Sequence, residues 1–375
     1  MCTILIFSRD PGGANTVMPL VVPLEQKGYR VLLFGKDASL KKYADYGLPA
    51  QSITDEIEHI SSDEIKQFLV EKNVGMVITG TSSDDMTEKL LWKSCEDLGL
   101  ISFAILDNWV NYGLRFSPYG ISESQEFEKT KRIVYLPTKI FVMDERAKNE
   151  AIEDGLDANR IVVTGQPYFE TLITCSKTGK EVSKIRGDLG VTPEGKMILF
   201  VSEPLSEMYG ETDDDDHYLG YTERTVFKEF LNTIRGMGSK TSNWTIVVRY
   251  HPKERSDNFS DLIASGQNPC RIIVDKNSSP IELARASDLV VGMYSMLLVE
   301  AAILRKKVMS IQLGLSRRDP LVLSRMGYLR TITDTDNLRS SLRCVFQNEL
   351  AENIFAYTEN PVENVVNEVD KAWQS

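Results

Sequence analysis

The chain has 375 residues, 42% hydrophobic and 26% charged, an ordinary globular composition that excludes collagen-like, coiled-coil and largely disordered architectures. At roughly 150 residues per domain, that length has room for two cores. A net charge of −11 excludes electrostatic capture of nucleic acid or an anionic membrane, leaving only a local basic pocket for a phosphorylated ligand.

No apolar run approaches the roughly 18 residues of a membrane span, and the N-terminus lacks the basic region of a signal peptide. Cys2, Cys95, Cys175, Cys270 and Cys344 are scattered and form no CxxC pair. They support neither a disulfide framework nor a cysteine zinc site, and imply a reducing, cytoplasmic setting.

In chain order, the first half alternates β-branched runs with amphipathic segments. Strands are predicted at Thr3–Phe7, Arg30–Phe34, Met76–Thr79, Ile101–Leu106, Lys139–Met143 and Ile161–Thr164. Met86, Leu90, Leu91, Cys95 and Leu98 fall on one helical face. Directly after the first strand stands Arg9-Asp10-Pro11-Gly12-Gly13-Ala14-Asn15. Gly12 and Gly13 let the backbone turn tightly and approach a ligand, Asn15 can cap the next helix, and Asp10 sits where α/β sheets place functional groups. A plain turn reads the same way, and the run is not a full G-x-G-x-x-G fingerprint.

The strand Ile101–Leu106 is followed by Asp107-Asn108-Trp109-Val110-Asn111-Tyr112-Gly113-Leu114-Arg115-Phe116. Trp109 or Tyr112 could stack on a sugar hydrogen-bonded by Asp107 and Asn111, with Arg115 nearby; a buried aromatic plug is the competing reading.

Past Gly165-Gln166-Pro167 the periodicity lapses into Ser176-Lys177-Thr178-Gly179-Lys180, which predicts a division into domains 1–170 and 171–355. Strands then resume at Met197–Ser202, Trp244–Tyr250, Arg271–Val274, Leu289–Val291 and Lys307–Ile311. Helices are predicted at Thr222–Arg235, Pro280–Ala286, Met296–Leu304 and Thr335–Phe346. A last helix, Glu359–Trp373 within 356–375, would pack back on the first domain. Strands alternating with helices predict parallel βαβ units. The fold class expected is α/β, with two Rossmann-like, doubly wound domains facing each other across a ligand cleft.

Three motifs fall in this half. Ser202-Glu203-Pro204 follows a strand, so Glu203 could contact substrate or simply turn the chain. Arg249-Tyr250-His251-Pro252-Lys253 surrounds one of only three histidines with positive charge, which suits a phosphate. Gly292-Met293-Tyr294-Ser295-Met296 reads as a small-residue turn into a helix whose first N–H groups, with Ser295, would cradle phosphate, leaving Glu300 for a ribose hydroxyl. Asp213–Asp216 could hold a divalent ion or be a solvated acidic loop. Walker A, G-x-S-x-G, H-E-x-x-H and kinase motifs are absent.

Taken together, the Asp10–Asn15 loop, the segment Lys139–Leu172, Arg249-Tyr250-His251-Pro252 and Gly292–Ala302 resemble the GT-B superfamily. That superfamily includes inverting glycosyltransferases and UDP-N-acetylglucosamine 2-epimerase-like proteins. The His-Pro pair is also similar to that of sialyltransferase-like and polyol-phosphate-transferase-like enzymes, which implies a donor-phosphate contact for His251. The resemblance implies donor binding by Arg249, Lys253, Gly292, Ser295, Met296 and Glu300. It implies Asp10, then Asp107, as general base; with His251 these form the expected catalytic set, and Gly12, Gly13, Asn15, Trp109, Asn111, Arg115 and Glu203 are the expected acceptor contacts. Two departures count against epimerisation: Asn111 stands where epimerases carry a carboxylate before Gly-Leu-Arg, and Ser202-Glu203-Pro204 replaces their His-Arg-rich motif.

The function expected is therefore a cytoplasmic, metal-independent GT-B glycosyltransferase in surface-glycan synthesis, a monomer or homodimer. It would move a sugar from a UDP- or CMP-linked donor to a glycan or small hydroxyl acceptor by direct displacement, with the nucleotide sugar as co-substrate and no separate cofactor. The alternatives are a UDP-N-acetylglucosamine 2-epimerase-like isomerase or hydrolase, a polyol-phosphate transferase, or an inactive nucleotide-binding protein.

Overall fold

Along β1 (Thr3–Ser8), Ile4 and Ile6 point to one side and Leu5 and Phe7 to the other, yet all four are fully buried. A strand apolar on both faces needs a layer of structure on each, which is the signature of a doubly wound parallel sheet. The computed structural model describes residues 2–178, 181–215, 217–345 and 355–374. It divides into two compact units, 1–171 with 356–375, and 172–355.

The first unit adds β2 (Arg30–Gly35), β3 (Gln51–Ser52), β4 (Met76–Thr79), β5 (Ile101–Ile105), β6 (Lys139–Val142) and β7 (Ile161–Val163). Their order is β3-β2-β1-β4-β5-β6-β7, every pair parallel. One face packs Ile4, Ile6, Ile78 and Phe103 against Val17, Leu20 and Leu24 of the segment after β1 and against Val365, Val366 and Val369 of the C-terminal helix Pro361–Gln374. Lys27 and Tyr29 also hold Asp370 of that helix, at 2.9 and 2.7 Å. The other face packs Leu5, Phe7 and Val77 against Ile65, Phe68 and Leu69 of helix Ser62–Glu71 and Leu91 and Cys95 of helix Thr87–Leu98.

The second unit is a five-stranded parallel sheet of β8 (Lys196–Val201), β9 (Trp244–Arg249), β10 (Arg271–Val274), β11 (Leu289–Gly292) and β12 (Lys307–Ser310), ordered β10-β9-β8-β11-β12. Helix Glu223–Met237 lays Phe227, Phe230, Leu231 and Ile234 on Ile198, Phe200, Ile246 and Val248. Two α/β units with Rossmann-like parallel sheets are thus the observed fold class.

Several boundaries differ from the expected ones for local reasons. Asn15 lies inside helix Pro11–Val17, which begins after Asp10, so it is not the cap. Thr222 caps helix Glu223–Met237 by accepting from Thr225 N–H. Helix Pro167–Thr178 runs through the expected lapse at Ser176–Lys180, of which Gly179 and Lys180 lie outside the described residues, as do Asp216 and Phe346.

Candidate functional site

In each sheet the strand order reverses once, between β1 and β4 and between β8 and β11. The loops leaving the carboxyl ends of those neighbours diverge, and such points are where open α/β sheets hold ligands.

At the first reversal the backbones meet closely. A Cβ at Gly80 would stand 2.6 Å from Gly13 Cα, so helix Pro11–Val17 seats against the β4 loop only because both positions are glycine. A Cβ at Gly12 would overlap the Asp107 carboxylate. Asp107 Oδ1 accepts from Arg115 Nη1 at 2.6 Å, and the same nitrogen donates to Thr81 O and Oγ1 at 3.0 and 2.6 Å. Arg115 and Asp107 therefore bolt together the loops after β1, β4 and β5. This corrects the expected roles of Asp107 as an alternative base and Arg115 as an acceptor contact: the carboxylate is paired with the buried guanidinium and packs against Gly12. Asp10 stands apart, its side chain 39% exposed, with Arg9 Nη1 at 3.3 Å.

Trp109 is also corrected. Its ring is buried against Phe169 and its indole N–H donates to Asp144 at 2.7 Å, while the buried Tyr112 donates its hydroxyl to Glu150 at 3.0 Å. The aromatic cluster is the interior plug, not a sugar platform. Asn111 is exposed and holds a left-handed backbone conformation at φ 57°.

Sequence reasoning missed Glu88. It is fully buried in helix Thr87–Leu98, and the main-chain N–H groups of Arg9 after β1 and Ser82 after β4 lean toward it without completing a hydrogen bond to either oxygen. Burial, with Asp10 and Asp85 adding negative charge, pushes its carboxyl up to about 8. Nearby, Lys36 Nζ pairs with Asp85 at 2.5 Å. The run Gly80-Thr81-Ser82-Ser83-Asp84-Asp85 after a strand was the available signal.

At the second reversal, a chain of hydrogen bonds ties three loops. Glu203, after β8, accepts from Tyr294 N–H after β11 at 3.0 Å. Ser202 donates to Glu254 at 2.6 Å, and Glu254 accepts from His251 N–H, after β9, at 2.6 Å. Burial pushes the Glu203 carboxyl up to about 8 against the opposing pull of the Tyr294 and Ser295 N–H groups. Gly292 ends β11, and Ser295 caps helix Met296–Ile303 by accepting from Leu297 N–H at 3.3 Å. Glu300 lies one turn along that helix, half-buried. Lys253 is exposed beside His251. Arg249 is not part of this cluster: its guanidinium donates to Asp275 O at 3.2 Å and pairs with the Asp275 carboxylate at 3.6 Å, which corrects its expected phosphate role. Among the described residues no group of three or more His, Cys, Asp or Glu side chains could hold a metal ion, and no helix is long and apolar enough to cross a membrane.

No protein-family model and no curated protein sequence matches the chain. Solved structures do. The chain is similar to the UDP-N-acetylglucosamine 2-epimerase of Neisseria meningitidis bound to UDP-GlcNAc, at 16% identity and TM-score 0.68, over 98% of this chain and 100% of that one. It is similar to the Methanocaldococcus jannaschii 2-epimerase in complex with UDP-GlcNAc and UDP, at 13% identity and TM-score 0.63, over 98% and 99%. The fold is that of these epimerases. Anabaena HepE in complex with UDP-glucose shares it more distantly, at 12% identity and TM-score 0.59 over all of both chains. The expected glycosyltransferase is overturned by these neighbours, among which 2-epimerases recur, and the 2-epimerase-like alternative is the one they favour. Nor do they support reading the His-Pro pair as a transferase motif.

Proposed function

We propose that the chain is an enzyme that binds a UDP-linked N-acetylhexosamine and epimerises or hydrolyses it without a separate acceptor. The observation that carries this reading is the fold shared along the whole chain with 2-epimerases solved in complex with UDP-GlcNAc. The second unit supports it. We take His251 and Lys253 after β9, and the Ser295-capped helix N-terminus and Glu300 after β11, as the set for a nucleoside diphosphate and its ribose.

Epimerisation takes a proton from a carbon and returns one, so it needs a group that accepts and a group that donates. We assign acceptance to Asp10, the partly exposed carboxylate two residues past β1. The diphosphate charge is assigned to His251, Lys253 and the helix N-terminus, and the reading invokes no cofactor.

The test is incubation with UDP-GlcNAc alone in D2O, followed by proton NMR. Deuterium at a sugar carbon, a new epimer, or free UDP with the liberated sugar supports the proposal. UDP-GlcNAc recovered unlabelled and intact at high enzyme concentration refutes it. Asp10→Ala should lower turnover while leaving UDP binding nearly unchanged.

A further inference from the structure

The ring of His251 is held in a way that limits what it can do. β9 ends at Arg249, and the next side chain, Tyr250, turns into the core with its hydroxyl accepting from Phe259 N–H at 3.1 Å. The chain then folds back through Pro252, so that Lys253 N–H donates to His251 Nδ1 at 3.2 Å. The His251 main chain is fixed separately, its N–H donating to Glu254, which Ser202 and Asn258 hold in turn at 2.6 and 3.3 Å. A ring nitrogen that accepts an N–H presents its lone pair, so the single proton of the neutral imidazole is on Nε2.

We infer that His251 meets an anionic ligand as a neutral imidazole donating from Nε2, so that its contribution is a directed hydrogen bond rather than a positive charge. Protonating Nδ1 would break the bond to Lys253 N–H and set two donors against each other. The surroundings act the same way: burial and then the Lys253 ammonium hold the imidazole below its ordinary value, and only Glu207, on helix Leu205–Tyr209, pulls upward. Glu254 faces the main chain of His251. The identity of the anion as a nucleoside diphosphate rests on the proposed function; the tautomer does not.

The chain has three histidines, His59, His217 and His251, so nitrogen-15 NMR of the intact protein resolves the question directly. Comparison with His251→Gln assigns its signals. The expected result is an Nε2–H tautomer that titrates below 6.5. At pH 7.5, saturating pyrophosphate or UDP should shift its Nε2 signal without protonating the ring. An Nδ1–H tautomer, a midpoint at or above 6.5, or protonation on ligand binding would overturn the inference, as would no response to either ligand. A response to pyrophosphate but not to UDP would leave the donor role standing and sink the nucleotide reading. In calorimetry His251→Gln, whose amide can still donate, should bind the responding ligand within a few-fold of wild type. His251→Ala should bind it about tenfold to a hundredfold more weakly, the loss of one hydrogen bond to a charged group. Equal loss in both variants would contradict a donor role.

Discussion

Replacing Glu88 with glutamine keeps shape and volume but removes a group that has to ionise in a fully buried place. In the folded chain burial, and then Asp10 and Asp85, raise the carboxyl from 4.5 to about 8. Between those values the unfolded chain has released the proton and the folded chain still holds it, so unfolding free energy falls as pH rises and stops falling above about 8. At about 1.4 kcal/mol for each pH unit crossed, the wild type should lose about 3 to 4 kcal/mol from this group between pH 5 and pH 8. Glu88→Gln loses none of it. Burying the amide adds a constant offset of about 1 to 3 kcal/mol, so the difference in slope, not the offset, is diagnostic. Urea unfolding followed by tryptophan fluorescence suits the measurement, because Trp92, Trp109 and Trp373 lie in the first unit and only Trp244 in the second. Parallel pH profiles for wild type and variant would show that Glu88 ionises in the fold without penalty, and the account of the first reversal point would fail.

Other outcomes follow from the same geometry. Gly80→Ala should destabilise the first unit by about 1 to 3 kcal/mol, because the new methyl meets the Gly13 backbone, which cannot rotate away; a thermal melt unchanged from wild type would contradict that contact. Asp107→Ala, which strands the buried guanidinium of Arg115, should cost about 3 kcal/mol in urea unfolding. Trp109→Phe should cost about 1 to 3 kcal/mol by leaving Asp144 without its indole partner, with UDP-GlcNAc binding unchanged; a selective loss of binding in calorimetry would restore the sugar-stacking role.

Where side chains alternate or run apolar, the sequence was readable. The strand Thr3–Ser8 and the helices Pro280–Ala286 and Met296–Ile303 lie within a residue or so of their expected ends, because Pro280 and Ser295 mark the helix starts locally. The two-residue strand Gln51–Ser52 carries no such pattern and exists because β2 has an open edge for it. The site was legible only in part. Asp10, Glu203, His251 and Ser295 follow strands, and position after a strand is a local property.

What those residues touch is not local. Asp107 and Asn111 read alike in the sequence, yet one is bound to Arg115 and the other faces solvent, because the loop carrying both is folded around a buried Trp109. Arg249 and Lys253 read alike as phosphate ligands, but β10 lies beside β9 and brings Asp275 to the guanidinium. Glu88 and Lys89, unremarked in the sequence, are both buried, because the loops after β1 and β4 and the segment near Tyr119 close over them. Periodicity and composition thus determined the fold class, since burial on two faces requires apolar residues in a fixed rhythm. Which charges are paired inside the fold was decided by strand order, which brings together residues far apart in the chain.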